Sequence, residues 1–239
     1  MPDFGSGDEQ FHGRRKGKPL RAGRRLLWDT LLPRLTLPIE GLSDGELLDP
    51  ATLFEEKKKS YWLEIGFGGG EHLTAQARAN PDVGLIGSEV FEYGVGKALS
   101  QIEESGLVNV RLWPEDVRAV LPRLPDGCLD RLFVLFPDPW PKTRHAKRRM
   151  IQPGRLTEFA RLLKDGGELR VASDDPTYQH WALMHGTGHS QFKWMAKVPA
   201  DWKGRPSDWV ETRYEAKALA AGRIPIYMVF RRLPRAEVG

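Results

Sequence analysis

From Tyr61 to Phe136 the chain alternates between apolar runs of strand length and segments of helical spacing, and this alternation limits the folds open to it more than any other feature. The runs at 61–66, 84–90, 107–113 and 130–136 are predominantly apolar rather than apolar at every second position, as expected of strands covered on both faces. The segments between them, 70–80, 94–105 and 117–124, carry the three-to-four spacing of amphipathic helices. A further helix over 152–164, with Leu156, Phe159, Ala160 and Leu163 on one face, is expected to stop at Asp165-Gly166-Gly167 before a strand over 168–172. The tail adds a helix around 175–185, a strand at 190–196, a helix at 213–221 and a strand at 224–231. No repeat of solenoid length occurs. The pattern predicts an α/β fold with a doubly wound, mostly parallel sheet, in which ligands bind beyond the carboxyl ends of the strands.

Composition restricts the rest. The net charge of +4 permits a polyanionic partner without requiring one. Cys128 is the only cysteine, which rules out an intrachain disulfide or a cysteine-based zinc cage and points to a reducing, cytoplasmic setting. No apolar run is long enough for a membrane span, and no signal-peptide pattern is present. Residues 1–25 hold seven cations (Arg14, Arg15, Lys16, Lys18, Arg21, Arg24, Arg25) among five glycines and two prolines, and are expected to form a flexible basic arm preceding a single domain over 26–239. Apolar pieces at 26–32 and 47–54, broken by Pro33, Pro38 and Pro50, are suited to capping that domain.

The exit of the first strand reads Glu64-Ile65-Gly66-Phe67-Gly68-Gly69-Gly70. Gly66, Gly68 and Gly70 let the backbone pass close to a ligand at a helix N-terminus. A dinucleotide fingerprint needs another glycine where Glu71 stands, so a nicotinamide cofactor is disfavoured. Glu89 closes the second strand, where a carboxylate accepts ribose hydroxyls, and Asp116 follows the third, within reach of an adenine amino group. After the fourth strand comes Phe136-Pro137-Asp138-Pro139-Trp140-Pro141-Lys142, then the cations Arg144, Lys147, Arg148 and Arg149. Three prolines preset the loop and present Asp138 beside an aromatic ring, and the cations suit a phosphate backbone.

These stretches, with Thr212-Arg213-Tyr214-Glu215, resemble the bacterial tRNA (guanine-N7)-methyltransferases over about residues 20–232. The resemblance implies a Rossmann-like, class I S-adenosylmethionine-dependent methyltransferase with an antiparallel C-terminal strand, acting on a variable-loop guanine of tRNA. It implies that Glu64, Glu89, Asp116 and Asp138 are cofactor-binding acids, and that Asp138 is also catalytic. It assigns Lys142, Asp174 and Thr212, Arg213, Tyr214 and Glu215 to the substrate, and Arg144, His145, Ala146, Lys147, Arg148 and Arg149 to RNA. The family usually carries Lys and Phe where this chain has Arg213 and Tyr214, and arginine does not simply replace lysine at a shaped contact.

Competing readings attach to several of these residues. Asp174-Asp175-Pro176 is a common helix start, and Thr212 with Glu215 forms a capping box in which each side chain bonds the other's backbone amide. The rings of Phe192, Trp194, Trp202 and Trp209 lie among Lys193, Lys203 and Arg205, as in a base-stacking surface or a packed lid. His180, His185 and His189 lack the spacing of a metal site, so no metal is expected. The expected partner is tRNA, and the chain is taken as a monomer or homodimer. A small-molecule or protein methyltransferase would leave the basic segments without a purpose. A non-catalytic RNA-binding scaffold would not need Glu64, Glu89 and Asp138.

Overall fold

The computed structural model describes residues 15–235; residues 1–14, which include much of the expected arm, lie outside it. In chain order the elements are α1 (Ala22–Thr30), α2 (Leu32–Leu35), β1 (Ser60–Ile65), α3 (Glu71–Ala79), β2 (Val83–Ser88), α4 (Glu92–Glu104), β3 (Val110–Trp113), β4 (Leu129–Leu135), α5 (Pro153–Leu162), β5 (Leu163–Ser173), α6 (Pro176–Thr187), β6 (Phe192–Trp194), α7 (Ala200–Lys203), α8 (Arg213–Ala220) and β7 (Ile226–Arg232). The sheet runs β3-β2-β1-β4-β5-β7-β6. The first five positions are parallel, and β7 pairs antiparallel with both β5 and β6.

Both faces of the sheet are dry. Leu63 and Ile65 of β1 and Leu132 and Val134 of β4 pack into one apolar layer with Phe159 and Tyr178. The alternate residues Trp62 of β1 and Phe133 and Leu135 of β4 face a second layer with Leu73, Val95 and Leu99 from α3 and α4. That two-sided burial explains why the strands read as continuous apolar runs. At the β3 edge, Thr36 bridges to Leu112 and the Leu37 amide donates to the Leu112 carbonyl at 3.0 Å.

Three expectations change. The segment 117–124 forms two 3-10 turns, Val117–Ala119 and Leu121–Arg123, because Pro122 supplies no amide to continue a helix. Helix α5 ends at Leu162, and β5 begins immediately at Leu163. Asp165-Gly166-Gly167 is therefore an irregularity inside β5, opposite a register shift between Leu129 and Arg131, with Gly166 at φ +80°. Finally, α1 starts at Ala22, inside the expected arm. Just before it, the Glu92 amide donates to the Arg15 carbonyl at 3.0 Å, Gly17 lies against the Phe91 ring and Leu20 against Gly96.

Candidate active site

The strand order reverses between β1 and β4, and the loops leaving β1, β2, β4 and β5 gather at that point. The β1 loop alternates left-handed glycines, with φ +73° at Gly66, +58° at Gly68 and +82° at Gly70, the last being the N-cap of α3. A Cβ at Gly70 would stand 2.6 Å from the Ala98 Cβ, and one at Gly68 would stand 2.7 Å from the Tyr214 ring. The loop is therefore both turned and confined by its neighbours, as a cradle for a flat or charged ligand group must be.

Glu89 ties this loop to the next. One of its oxygens accepts the Gly68 amide at 2.7 Å and the other the Phe91 amide at 2.8 Å. Each carboxylate oxygen keeps a further lone pair for a hydroxyl donor. Burial pushes the Glu89 pKa up against these hydrogen bonds, and the negative charge of Asp138 adds to the rise. The two acids therefore sense one another across the mouth of the site.

Asp138 sits between two strained residues, Phe136 at φ +50° and Trp140 at φ +43°. Positive φ at bulky side chains persists only where the surroundings enforce it. Among the described residues its carboxylate has neither a hydrogen bond nor an ion-pair partner, and it reaches solvent. Protein atoms around it still strip enough hydration to raise its pKa above the ordinary aspartate range.

Other candidates are placed differently. Glu64 is 4% exposed and bonds His72 Nδ1 at 2.8 Å, so it lies beneath the glycine loop rather than in its mouth. His72 packs edge-on to Phe133 and Trp209 and has its Nε2 3.3 Å from Gln76 Nε2; Gln76 in turn donates to the Asp208 carbonyl. Replacing His72 with Leu should leave the Glu64 carboxylate short of a donor in an apolar layer and cost about 1–3 kcal/mol, read from the denaturant midpoint. Asp116 caps its own turn through the Arg118 amide at 3.0 Å and pairs with the Arg118 guanidinium at 2.6 Å. Burial raises the Asp116 pKa, but the Arg118 bonds and charge outweigh it and hold it below the usual range. Its carboxylate is thus engaged within the chain rather than held open for an adenine amino group.

Asp174 pairs with Arg223 at 2.5 Å, while Asp175 caps α6 through the Tyr178 amide at 2.9 Å. Only half of the expected capping box forms. The Glu215 amide donates to Thr212 Oγ1 at 3.2 Å, but the buried Glu215 carboxylate accepts Tyr227 OH at 2.5 Å and Arg205 at 3.0 Å. The Tyr214 ring lies over Gly68 with the Arg213 guanidinium 5.1 Å above it, which brings the start of α8 to the glycine loop.

In the basic segment, Lys142, Arg144 and Lys147 are exposed, and His145, Ala146 and Arg148 are partly buried. Trp140 has the His145 ring edge-on at 5.8 Å and the Arg148 guanidinium at 5.0 Å. Arg149, expected among the RNA contacts, lies inside the fold instead. It is 3% exposed, and its guanidinium donates to the Pro139 carbonyl at 3.1 Å and the Trp140 carbonyl at 2.9 Å. The aromatics of the tail pack inward: Trp209 meets His72, Phe133 and Tyr227, and Trp194 meets Trp202. The His185 ring packs edge-on against Trp181 at 4.1 Å, whereas His189 lies 3.1 Å from Thr157 Oγ1. Burial pushes the Cys128 thiol up to about 12, which leaves it unreactive.

Sequence reading missed Gly94, whose absent side chain lets α4 approach the glycine loop: a Cβ there would stand 2.2 Å from the Gly68 carbonyl oxygen. A glycine pair, Gly94 and Gly96, inside a helical pattern is the signal that was available. His72, with Gln76 and Trp209 packed about it, was also missed as the partner of Glu64, since no local pattern links them.

Solved structures with the same architecture include the 16S rRNA methyltransferase KamB, with TM-score 0.53 at 17% identity over 74% of this chain and 89% of that one. Another is an rRNA methylase from Streptococcus thermophilus, with TM-score 0.51 at 14% identity over 74% and 89%. The sheet, with its glycine loop at the reversal point, has the class I methyltransferase fold. A family model described as a putative methyltransferase matches residues 58–228. The tRNA (guanine-N(7)-)-methyltransferase of Rhodospirillum rubrum is 70% identical, covering 99% of this chain and 92% of its own length; that of Paramagnetospirillum magneticum is 52% identical, covering 95% and 94%. The chain belongs to the tRNA (guanine-N7)-methyltransferase family.

Proposed function

We propose that this enzyme methylates N7 of guanine 46 in the variable loop of tRNA, with S-adenosylmethionine as donor, in the cytoplasm. The observation that carries the reading is Asp138: a carboxylate without a partner among the described residues, on a strained loop beside the glycine cradle, followed within ten residues by the exposed cations Lys142, Arg144 and Lys147.

The residues present fit the donor. Gly66, Gly68 and Gly70 leave room for close backbone approach, and Glu89 keeps lone pairs for a ribose. When bound, S-adenosylmethionine supplies an electrophilic methyl group on a cationic sulfur. Guanine N7 offers an in-plane lone pair and carries no proton, so the chain must orient the base and manage charge rather than remove a proton. As the methyl–sulfur bond broke and the N–C bond formed, positive charge would leave the sulfur as a neutral thioether departs and appear on the base, where the Asp138 carboxylate would stabilise it. Asp174, Thr212, Arg213 and Tyr214 would meet the substrate from the β5 and α8 side, and Glu215 supports them through Tyr227 and Arg205. Asp116 would serve the cofactor by holding the β3 exit in shape. Glu64 would do the same from below the loop.

The test is transfer of labelled methyl from S-adenosylmethionine to an unmodified tRNA transcript, with nucleoside analysis of the product. 7-Methylguanosine is expected, and a transcript with adenine at position 46 should take no label. Equal labelling of the two transcripts would exclude that position. Binding should also weaken steeply with salt, because phosphate contacts release counterions. Arg144→Gln and Lys147→Gln should each reduce the slope of log affinity against log salt by roughly 0.7–0.9.

A further inference from the structure

Arg149 is a cation in the wrong place for an RNA contact. It closes the basic segment in sequence, yet it is buried, and among the described residues no carboxylate pairs with it. Burying a guanidinium without a counter-charge is costly, so its remaining contacts must be specific. They are. Its Nε donates to the Pro139 carbonyl, its Nη2 donates to the Trp140 carbonyl, and the guanidinium carbon lies 4.5 Å from the centre of the Trp181 ring. Trp181 is itself fixed, its Nε1 donating to the Ile151 carbonyl at 2.6 Å.

The two carbonyls belong to consecutive peptide planes, one on each side of Trp140, whose φ of +43° is one of the two strained angles of this loop. A planar fork that grips both planes fixes the torsion between them, which a single point charge cannot do. Pro139 has its own φ locked by its ring and follows Asp138 directly. Holding the plane after Pro139 therefore sets where the Asp138 carboxylate stands.

We infer that Arg149 is a positioning residue for Asp138, holding the strained Pro139–Trp140 backbone in place, and takes no part in RNA contact. The inference rests on the methyltransferase reading above. It divides the basic segment by job: Lys142, Arg144 and Lys147 face outward, and Arg149 faces the loop it braces.

The experiment compares Arg149→Lys, Arg149→Ala and Lys147→Gln with the wild type, measuring kcat and KM for tRNA and the salt slope of tRNA binding. In Arg149→Lys, kcat should fall roughly tenfold or more, because small misplacement of a catalytic group is expensive, while KM and the salt slope stay at wild-type values. Lys147→Gln should lose roughly 0.7–0.9 of slope, which calibrates what a lost phosphate contact looks like. Methylguanidinium added to Arg149→Ala should recover at least threefold of the lost kcat, whereas methylammonium should not. A merely structural loss would show no such selectivity. A slope loss in Arg149→Lys equal to that of Lys147→Gln, or an unchanged kcat, would overturn the assignment. If neither Arg149 variant folds, Trp181→Phe takes their place: it should lower kcat at least threefold with an unchanged slope, and an unchanged kcat overturns the inference. A wild-type enzyme that transfers no methyl to tRNA overturns the functional reading and this inference together. An active wild type with an indifferent Arg149 overturns this inference alone.

Discussion

Replacing Asp138 with Ala is expected to lower the rate of methyl transfer at saturating tRNA and donor by about 10²–10³-fold, the range seen when one preorganised charge-stabilising group is removed. Asp138→Asn keeps the shape but not the charge and should lose most of that rate as well. The raised pKa of the native carboxyl sets the pH behaviour. Activity that needs the carboxylate should fall on acidification at a pH above the ordinary aspartate range, and that acidic limb should be missing from the Asn variant. The stability effect has the opposite sign. A carboxyl whose folded pKa lies above its unfolded value binds more protons when folded, so stability falls as pH rises through that window and stays lower above it. Asp138→Asn should therefore melt slightly higher than the wild type at neutral pH, and the difference should shrink as pH is lowered. An Asn variant with the wild-type rate would remove Asp138 from the reaction.

The second large effect is expected at Gly94. Alanine there places a methyl group 2.2 Å from the Gly68 carbonyl oxygen, a clash with backbone that no side-chain rotation relieves. Either α4 or the glycine loop must move, and Gly68, held at φ +58° and bonded to Glu89, is part of the cradle itself. Overpacking of this kind costs about 1–3 kcal/mol. Gly94→Ala should also weaken S-adenosylmethionine binding by at least roughly tenfold, about 1.4 kcal/mol, in a calorimetric titration. Gly96→Ala, two residues on, is the control: the one close approach of its methyl is to the end of the Leu20 side chain at 2.8 Å, which can rotate away, and the Arg24 Cβ at 3.7 Å is an ordinary contact. That variant should bind the donor normally and gain some helix stability. Equal affinity in both variants would show that the β1 loop does not carry the donor.

Much of this arrangement was legible in the sequence, for identifiable reasons. Strands β1, β2, β3 and β4 could be read because burial on both faces leaves an apolar run that turns and glycines delimit. The positions of the glycine loop, Glu89 and Asp138 at the exits of β1, β2 and β4 could be read because alternating strands and helices fix where each strand ends. The turns at 117–124 were not legible, since apolar spacing alone does not separate a helix from paired 3-10 turns, although Pro122 was a warning. The extent of β5 was hidden because Asp165-Gly166-Gly167 looks like a terminus, and only the pairing with β4 shows the strand passing through it. The burial of Arg149 was hidden because a run of cations looks like one solvated face; its partner ring, Trp181, lies 32 residues further on. The role of Glu215 was half hidden in the same way, since Tyr227, which takes its carboxylate, belongs to another strand.

The pairing of Thr36 and Leu37 with Leu112 bears on how the molecule behaves in a crowded solution. Without that segment, β3 would present a row of unsatisfied amides and carbonyls to any extended chain it met, which is how sheets recruit one another into aggregates. The stretch before β1 therefore acts as a guard on the sheet. A truncation past Pro38 would show its damage first as precipitation during expression, and only secondarily as lost catalysis.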